Sequence, residues 1–185
     1  MSGNAANPRL WEGADLWTAP VATALPDALE DGMSTIPAWK AVGLLSEDGA
    51  SESRDEDSTD FYAWGGKLIR TKRSKHKRSI VVTCLEDNLV VFGLVNPGSS
   101  VATVAGTNTR TVKIPKSDKR SFVLELMDGD ISRRRHIPQG EITAVGEVKL
   151  SEADLQAFEL TITIYPSSDD VLYVDYDNDT ANAAS

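Results

Sequence analysis

The chain has one cysteine, Cys84, so no disulfide forms within it and a disulfide-stapled scaffold is excluded. Such sparing use fits a protein made in a reducing cytosol, or in a particle assembled there. No apolar run approaches the roughly 20 residues that a helix needs to cross a bilayer, and no membrane partner is expected. The opening MSGNAANPRLWEGADLWTAP has no basic start followed by an apolar stretch, so it does not read as a signal peptide. Histidine is scarce too. His76 and His136 stand at no metal-ligand spacing from each other or from Cys84, and read instead as residues of basic strands. There is no G-x-S-x-G elbow and no phosphate-cradling glycine loop. No catalytic, cofactor-binding or metal-binding residue is expected, and the chain does not read as an enzyme.

What is present suits one domain, or one domain with long arms: 185 residues with 41% hydrophobic side chains. The net charge is -9 and is distributed unevenly. Residues 71–80 hold five bases and no acid, whereas residues 151–185 hold eight acids and no base. A net acidic chain is a poor duplex-DNA binder, because affinity there comes mostly from neutralising phosphates. An acidic surface would repel DNA.

Residues 1–35 show little periodicity and read as an N-terminal arm. Trp11 and Trp17 within it are costly to leave in water, so the arm is expected to pack on its own domain or on a neighbour. From Trp39 the pattern becomes strand-like. SIVVTCL, residues 79–85, is rich in β-branched residues. EDNLVVFGLV, residues 86–95, is the best helix candidate, opened by acids and stopped by Asn96-Pro97-Gly98. Hairpins are expected around Gly106-Thr107-Asn108 and around Asp128-Gly129-Asp130. Phe122, Leu124 and Leu126 alternate onto one face. GEITAVGEVKL sets Ile142, Ala144, Val148 and Leu150 against Glu141, Thr143, Glu147 and Lys149. AFELTITIY sets Phe158, Leu160, Ile162 and Ile164 against Glu159, Thr161 and Thr163. A period of two means one buried and one wet face. Eight or nine short strands and one helix imply a mainly β fold: an antiparallel β-sandwich or barrel with one flanking α-helix and long extended arms. The domain is expected over residues 36–168, followed by an acidic C-terminal tail, 169–185, in which VLYVDY is a candidate last edge strand and DNDTANAAS a loose, solvated end. Asp175, Asp177 and Asp179 there alternate like the start of a calcium loop, but the later glycine and glutamate are missing.

Two basic clusters stand out. Arg133, Arg134 and Arg135 lie in a strand, where neighbours face opposite ways, so they form no single patch. The other ends a stretch, residues 46–78, that begins acidic and passes through FYAWGG. Lys72 to Arg78 can bind phosphate, pair with the acidic run Glu52 to Asp60 of a neighbouring copy, or form a charged hairpin surface with no specific partner.

These segments, in this order, resemble the major tail (tail tube) proteins of long-tailed, non-contractile bacteriophages, especially those of actinobacterial hosts. LWTAPVATALP is similar to the family's N-terminal arm. WKAVGLLSEDGASESRDEDSTDFYAWGGKLIRT is similar to its first strand, long loop and Ala-Trp-Gly-Gly turn. VVTCLEDNLVVFGLV resembles its strand and flanking helix, and residues 122–166 resemble its closing antiparallel strands. The resemblance covers about residues 16–166. It implies a β-sandwich assembled as stacked hexameric rings, a hollow tube that carries DNA into the host. Partners would be further copies of the chain and the tape measure, terminator and tail-tip proteins, with viral DNA passing unbound. The setting would be the virion tail, assembled in the host cytoplasm. It further implies that residues 50–78 are a long loop serving as an assembly arm. Inter-subunit contacts would then come from Trp11, Trp17, Asp55, Asp57, Phe61, Tyr62, Trp64, Gly65, Gly66, Arg70, Lys72 and Arg73. The lumen wall would carry Glu141, Glu147 and Glu159. A tail terminator or baseplate ring subunit, or a soluble β-sandwich binding module, are the alternative readings.

Overall fold

The computed structural model describes residues 3–4 and 7–182. Along them run ten strands and one α-helix: β1 Gly13–Pro20, β2 Lys40–Ala41, β3 Leu45–Tyr62, β4 Leu68–Cys84, α1 Leu89–Val95, β5 Ser100–Val104, β6 Thr107–Thr111, β7 Arg120–Asp128, β8 Ile131–Val145, β9 Phe158–Ile164 and β10 Val174–Asp177. All the pairings are antiparallel. Eight strands form one sheet in the order β2-β1-β7-β8-β9-β4-β3, with β10 added on β8, while β5 and β6 form a separate hairpin. The fold is thus mainly β, with one helix, and the sheet is not a closed barrel.

Strand β8 turns this sheet into two layers. It pairs with β7 through residues 131–140 and with β9 through residues 140–145. Gly140 is the change-over residue, opposite Arg120 on one side and Ile164 on the other. A Cβ at Gly140 would lie 3.0 Å from both Ile162 Cγ2 and Phe122 Cδ2, so the layers meet too closely there for a larger residue. Leu16, Phe122, Leu124 and Ile137 of one layer pack on Ile80, Val82, Leu160 and Ile162 of the other, closed by Val91 and Leu94 of α1. The alternation expected for β9 is seen: Phe158, Leu160, Ile162 and Ile164 are all buried.

The reverse face of β1 and β7 is covered as well. Val123 lies with Ala19, Met33 and Trp39, flanked by Trp17, Leu25 and Ile36. The first 35 residues therefore supply both a central strand, β1, and a cover for their own domain. Arg134 fastens that cover. It is buried, its guanidinium donates to Glu125, and it also donates to the carbonyls of Ala28, Leu29 and Asp31 at 2.7–3.1 Å.

Three expectations change. The helix begins at Leu89 rather than at residue 86, because Asn88 caps it: its Oδ1 accepts from the N–H groups of Val90 and Val91, each at 2.9 Å. The acids Glu86 and Asp87 lie before the cap, not in the first turn. GEITAVGEVKL does not alternate to its end. The ladder slips between Ile142 and Ala144 and β8 stops at Val145, leaving Leu150 exposed. Residues 50–78 are not a loop but the greater part of the β3–β4 hairpin. Within residues 169–185 the edge strand expected in VLYVDY is present as β10, paired with β8.

Gly140→Ala is expected to destabilise the fold by about 1–3 kcal/mol through overpacking. Thermal unfolding of purified protein reads this as a lowered Tm. An unchanged Tm would mean that the two layers are less tightly apposed at Gly140.

Candidate assembly surfaces

Acids and lysines are poor strand formers, yet β3 and β4 are the longest strands of the fold. Their register supplies the reason. Asp55 stands opposite Lys77, Ser58 opposite Arg73, Thr59 opposite Lys72 and Phe61 opposite Arg70. Asp55 and Lys77 are the one directly opposed pair of opposite charges, which favours pairing, whereas Arg54 faces Arg78 and the two are offset by Glu56 and Glu52. Ion pairs join Arg54 to Glu56, Lys75 to Asp57 at 2.7 Å and Arg78 to Glu52 at 2.7 Å. His76 Nδ1 lies 3.0 Å from Glu56. Each such exposed pair contributes little; their number in one register is what favours the strand form. The charge sorting is therefore compensated within one chain.

The hairpin projects. β9 supports β4 only from Arg78 to Cys84, so residues 68–77 pair with β3 alone. At about 3.3 Å per residue these ten extend about 33 Å. The turn Ala63–Lys67 closes through backbone hydrogen bonds and uses Gly65 and Gly66 at φ of 92° and 81°, a region that residues with a Cβ resist. Phe61, Tyr62, Trp64, Leu68 and Ile69 are all exposed at this tip, Trp64 completely.

At the base of the hairpin, β8 (residues 140–145), β9, β4 and β3 form a four-stranded sheet. One face is the core. The other carries hydroxyls and acids. Ser53 and Ser79 share a hydrogen bond of 2.8 Å, and Thr143 and Thr163 one of 2.7 Å. Glu141 stands opposite Thr163 and Glu159 opposite Thr83 on this same face. Glu141 accepts from Tyr165 Oη at 3.2 Å, and desolvation and then this contact push the tyrosine pKa upward. Glu147 follows the end of β8, beyond Gly146, whose N–H donates to the Glu159 carbonyl. Both ends of this sheet are open. β3 is an edge strand, and residues 141–145 of β8 have β9 on one side and no strand of the described residues on the other.

Arg133 and Arg135 of β8, with Arg9, hold residues 175–179. Asp175 binds Arg135 at 2.7 Å, Asp177 lies 3.6 Å from Arg133, and Asp179 binds Arg9 at 2.5 Å. The Asp175/Asp177/Asp179 alternation is thus an ion ladder. Arg135 also binds Glu52 of β3 and covers the Tyr173 ring. Its partners, Asp175 foremost, hold it firmly protonated. The Arg133 guanidinium lies 5.1 Å from the Trp11 ring.

The expected contact residues therefore fall into separate places. Trp11 and Trp17 are half-buried within their own subunit. Asp55 and Asp57 lie along the arm, and Phe61, Tyr62, Trp64, Gly65, Gly66 and Arg70 at or beside its tip, with Lys72 and Arg73 just behind. Of the expected wall residues, Glu141 and Glu159 share a sheet face and Glu147 does not lie on a strand. The reading of the chain alone missed the hydroxyl pairs, although Ser51, Ser53, Ser79, Thr161 and Thr163 follow the same period of two that marked β9. The burial of Cys84 raises its thiol pKa to about 11 and leaves it inert.

No group of metal-ligating side chains occurs among the described residues. The chain belongs to the phage tail tube protein family, whose model matches residues 1–185. It is a structural component of the virion tail, not an enzyme. Comparison with curated proteins finds no match. Among solved structures, it is similar in fold to the tube-terminating cap of the anti-feeding prophage, with a TM-score of 0.53, 8% identity and 95% of each chain covered. It is similarly related to a chain of the sheath–tube complex of an extracellular contractile injection system in its extended state, with a TM-score of 0.52, 8% identity, and 95% of this chain and 99% of that one covered.

The ion ladder has a pH consequence. The Ala181 N–H, followed by Arg9, holds the Asp179 carboxyl below its ordinary value of about 4. A carboxylate depressed in the folded state stabilises above its unfolded pKa, and that stabilisation is lost as pH falls through the folded value. Residues 174–182 are expected to resist proteolysis at pH 7 and to open as the pH falls below about 4. Asp179→Asn is expected to open them already at pH 7, and equal protease resistance in both proteins would contradict the ladder.

Proposed function

We propose that the chain is the repeating subunit of a tail tube, assembled as stacked hexameric rings through which double-stranded DNA is ejected into the host. The observation that carries this reading is the four-stranded sheet with an open edge at each end. Open edges are templates for further pairing. A sheet with two of them closes into a ring when β3 of each copy meets residues 141–145 of the next. Successive copies then build one barrel whose core faces point outward and whose Ser, Thr and Glu faces point to the channel.

That face suits passing DNA. Glu141 and Glu159 repel phosphate, and the Ser and Thr hydroxyls are uncharged, weak donors, so the strand has little to stall on. The hairpin arm reaches from one ring to the next, with Phe61, Tyr62 and Trp64 as anchors, since buried aromatics dominate interface energetics. The segment-by-segment resemblance favours the long, non-contractile type of tail, assembled in the host cytoplasm with tape measure, terminator and tail-tip proteins. The similarity to a tube-terminating cap supports a second reading, a terminator that stops at one ring.

Negative-stain electron microscopy of concentrated protein separates these. Tubes with a central hole and six subunits per ring are expected. Single closed rings would favour the terminator, and persistent monomer in the presence of tail tips would overturn both. Trp64→Asp is expected to yield rings without tubes; normal tubes would exclude the anchor role. Glu141→Lys with Glu159→Lys is expected to slow DNA ejection while leaving assembly intact, most strongly at low salt. Unchanged ejection at low salt would exclude the repulsive wall.

A further inference from the structure

The two ends of the molecule along the strand axis carry opposite, unpaired charge around exposed apolar side chains. At the arm tip, Lys67, Arg70, Lys72 and Arg73 take part in no ion pair among the described residues. They surround the exposed Phe61, Tyr62, Trp64, Leu68 and Ile69. The opposite end is fixed by the ladder. Cys84 pairs with Leu45 and with Phe158, so the 42–45 turn, the start of α1 and the 146–157 connection all gather there. Leu44, Leu89, Leu150 and Leu155 are 68%, 65%, 81% and 79% exposed at that end. Glu147, Glu152 and Asp154 lie among them, likewise in no ion pair among the described residues, against the single base Lys149.

We infer that this leucine-rich acidic end is the surface that receives the basic aromatic arm tip of a second copy. The inference rests on the tube reading and adds to it the face on which the arm lands. Four observations select the partner. Both patches belong to this chain, their charges are complementary, and each exposes apolar side chains whose burial favours association. They also sit at opposite ends of one axis, so the contact is head-to-tail and repeats without limit. Of the acids on the arm, Glu52, Glu56 and Asp57 are already paired with Arg78, Arg54 and Lys75, Asp55 stands opposite Lys77 and Asp60 accepts from Thr71, so the surplus charge at the tip is basic. Glu86 is held apart as well. Its carboxylate accepts the Leu44 N–H at 2.9 Å and shapes the receiving turn instead of facing outward unpaired.

The test uses cross-linking in full-length protein. Lys67→Cys and Ala153→Cys are made in separate chains, mixed, concentrated and oxidised, with assembly followed in parallel by electron microscopy. Cys84, buried with a thiol pKa of about 11, does not interfere. A covalent dimer that needs both variants is expected, and no dimer is expected from Lys67→Cys with Val104→Cys. Charge exchange supplies the second arm. Lys67→Glu with Lys72→Glu should slow assembly at low salt on the order of tenfold. Adding Glu152→Lys and Asp154→Lys to the same chain should restore most of the rate. Tubes without the cross-link between the Lys67→Cys and Ala153→Cys chains, or a charge exchange with no recovery, overturn the landing site and leave the tube reading intact. The specific product in short head-to-tail chains without tubes supports the landing site and overturns the tube reading. Neither product nor assembly overturns both.

Discussion

The change of partner along β8 is the constraint on which the rest of the molecule depends. One strand serves β7 over its first part and β9 over its last, and Gly140 lets the two layers close at the point of exchange. This single device creates the core between the layers. It also leaves residues 141–145 with an open edge, because β7 has already ended there. A longer β7 would fill that edge and leave β3 as the only open flank of the four-stranded sheet. The same strand carries three arginines that hold residues 28–31, β3, Trp11 and β10. Packing, edge exposure and the ordering of the chain ends are therefore coupled through one element.

The hairpin arm obeys a different physics. Few apolar residues hold it, and over residues 68–77 β4 has no third strand beside it. Its persistence as a ladder comes from backbone pairing and from ion pairs within and across the two strands. A charge-sorted sequence of this kind stays soluble as a free arm and presents apolar side chains only at its tip. Surplus positive charge at the tip and surplus negative charge at the other end of the molecule give the subunit a polarity along its strand axis, which is what a head-to-tail repeat needs.

Much of this was legible in the sequence, and the failures have physical causes. The two-residue period exposed β9 and the inner face of β7, and turn residues located both short hairpins. The helix was found and its start missed, because acids favourable to a helix dipole precede an asparagine that makes the actual cap. Residues 50–78 read as a loop because charged residues are poor strand formers. Only the cross-strand register, which pairs positions some twenty residues apart, shows why they form strands here. The aspartates of the tail looked like a solvated run for the same reason: Arg9, Arg133 and Arg135 are distant in the chain. Of the expected site residues, the aromatic tip and Glu159 are exposed and Glu141 is half-buried. Trp11 and Trp17 are engaged within their own subunit, a pairing that composition does not reveal.

Hydrogen–deuterium exchange, compared between free subunit and assembled protein, tests the central claim most directly. The β3–β4 ladder is expected to be protected already in the free subunit. On assembly, residues 141–145 of β8 and residues 50–55 of β3 are expected to gain protection together, as two open edges pair. Equal exchange of these two segments in free and assembled protein would contradict the account.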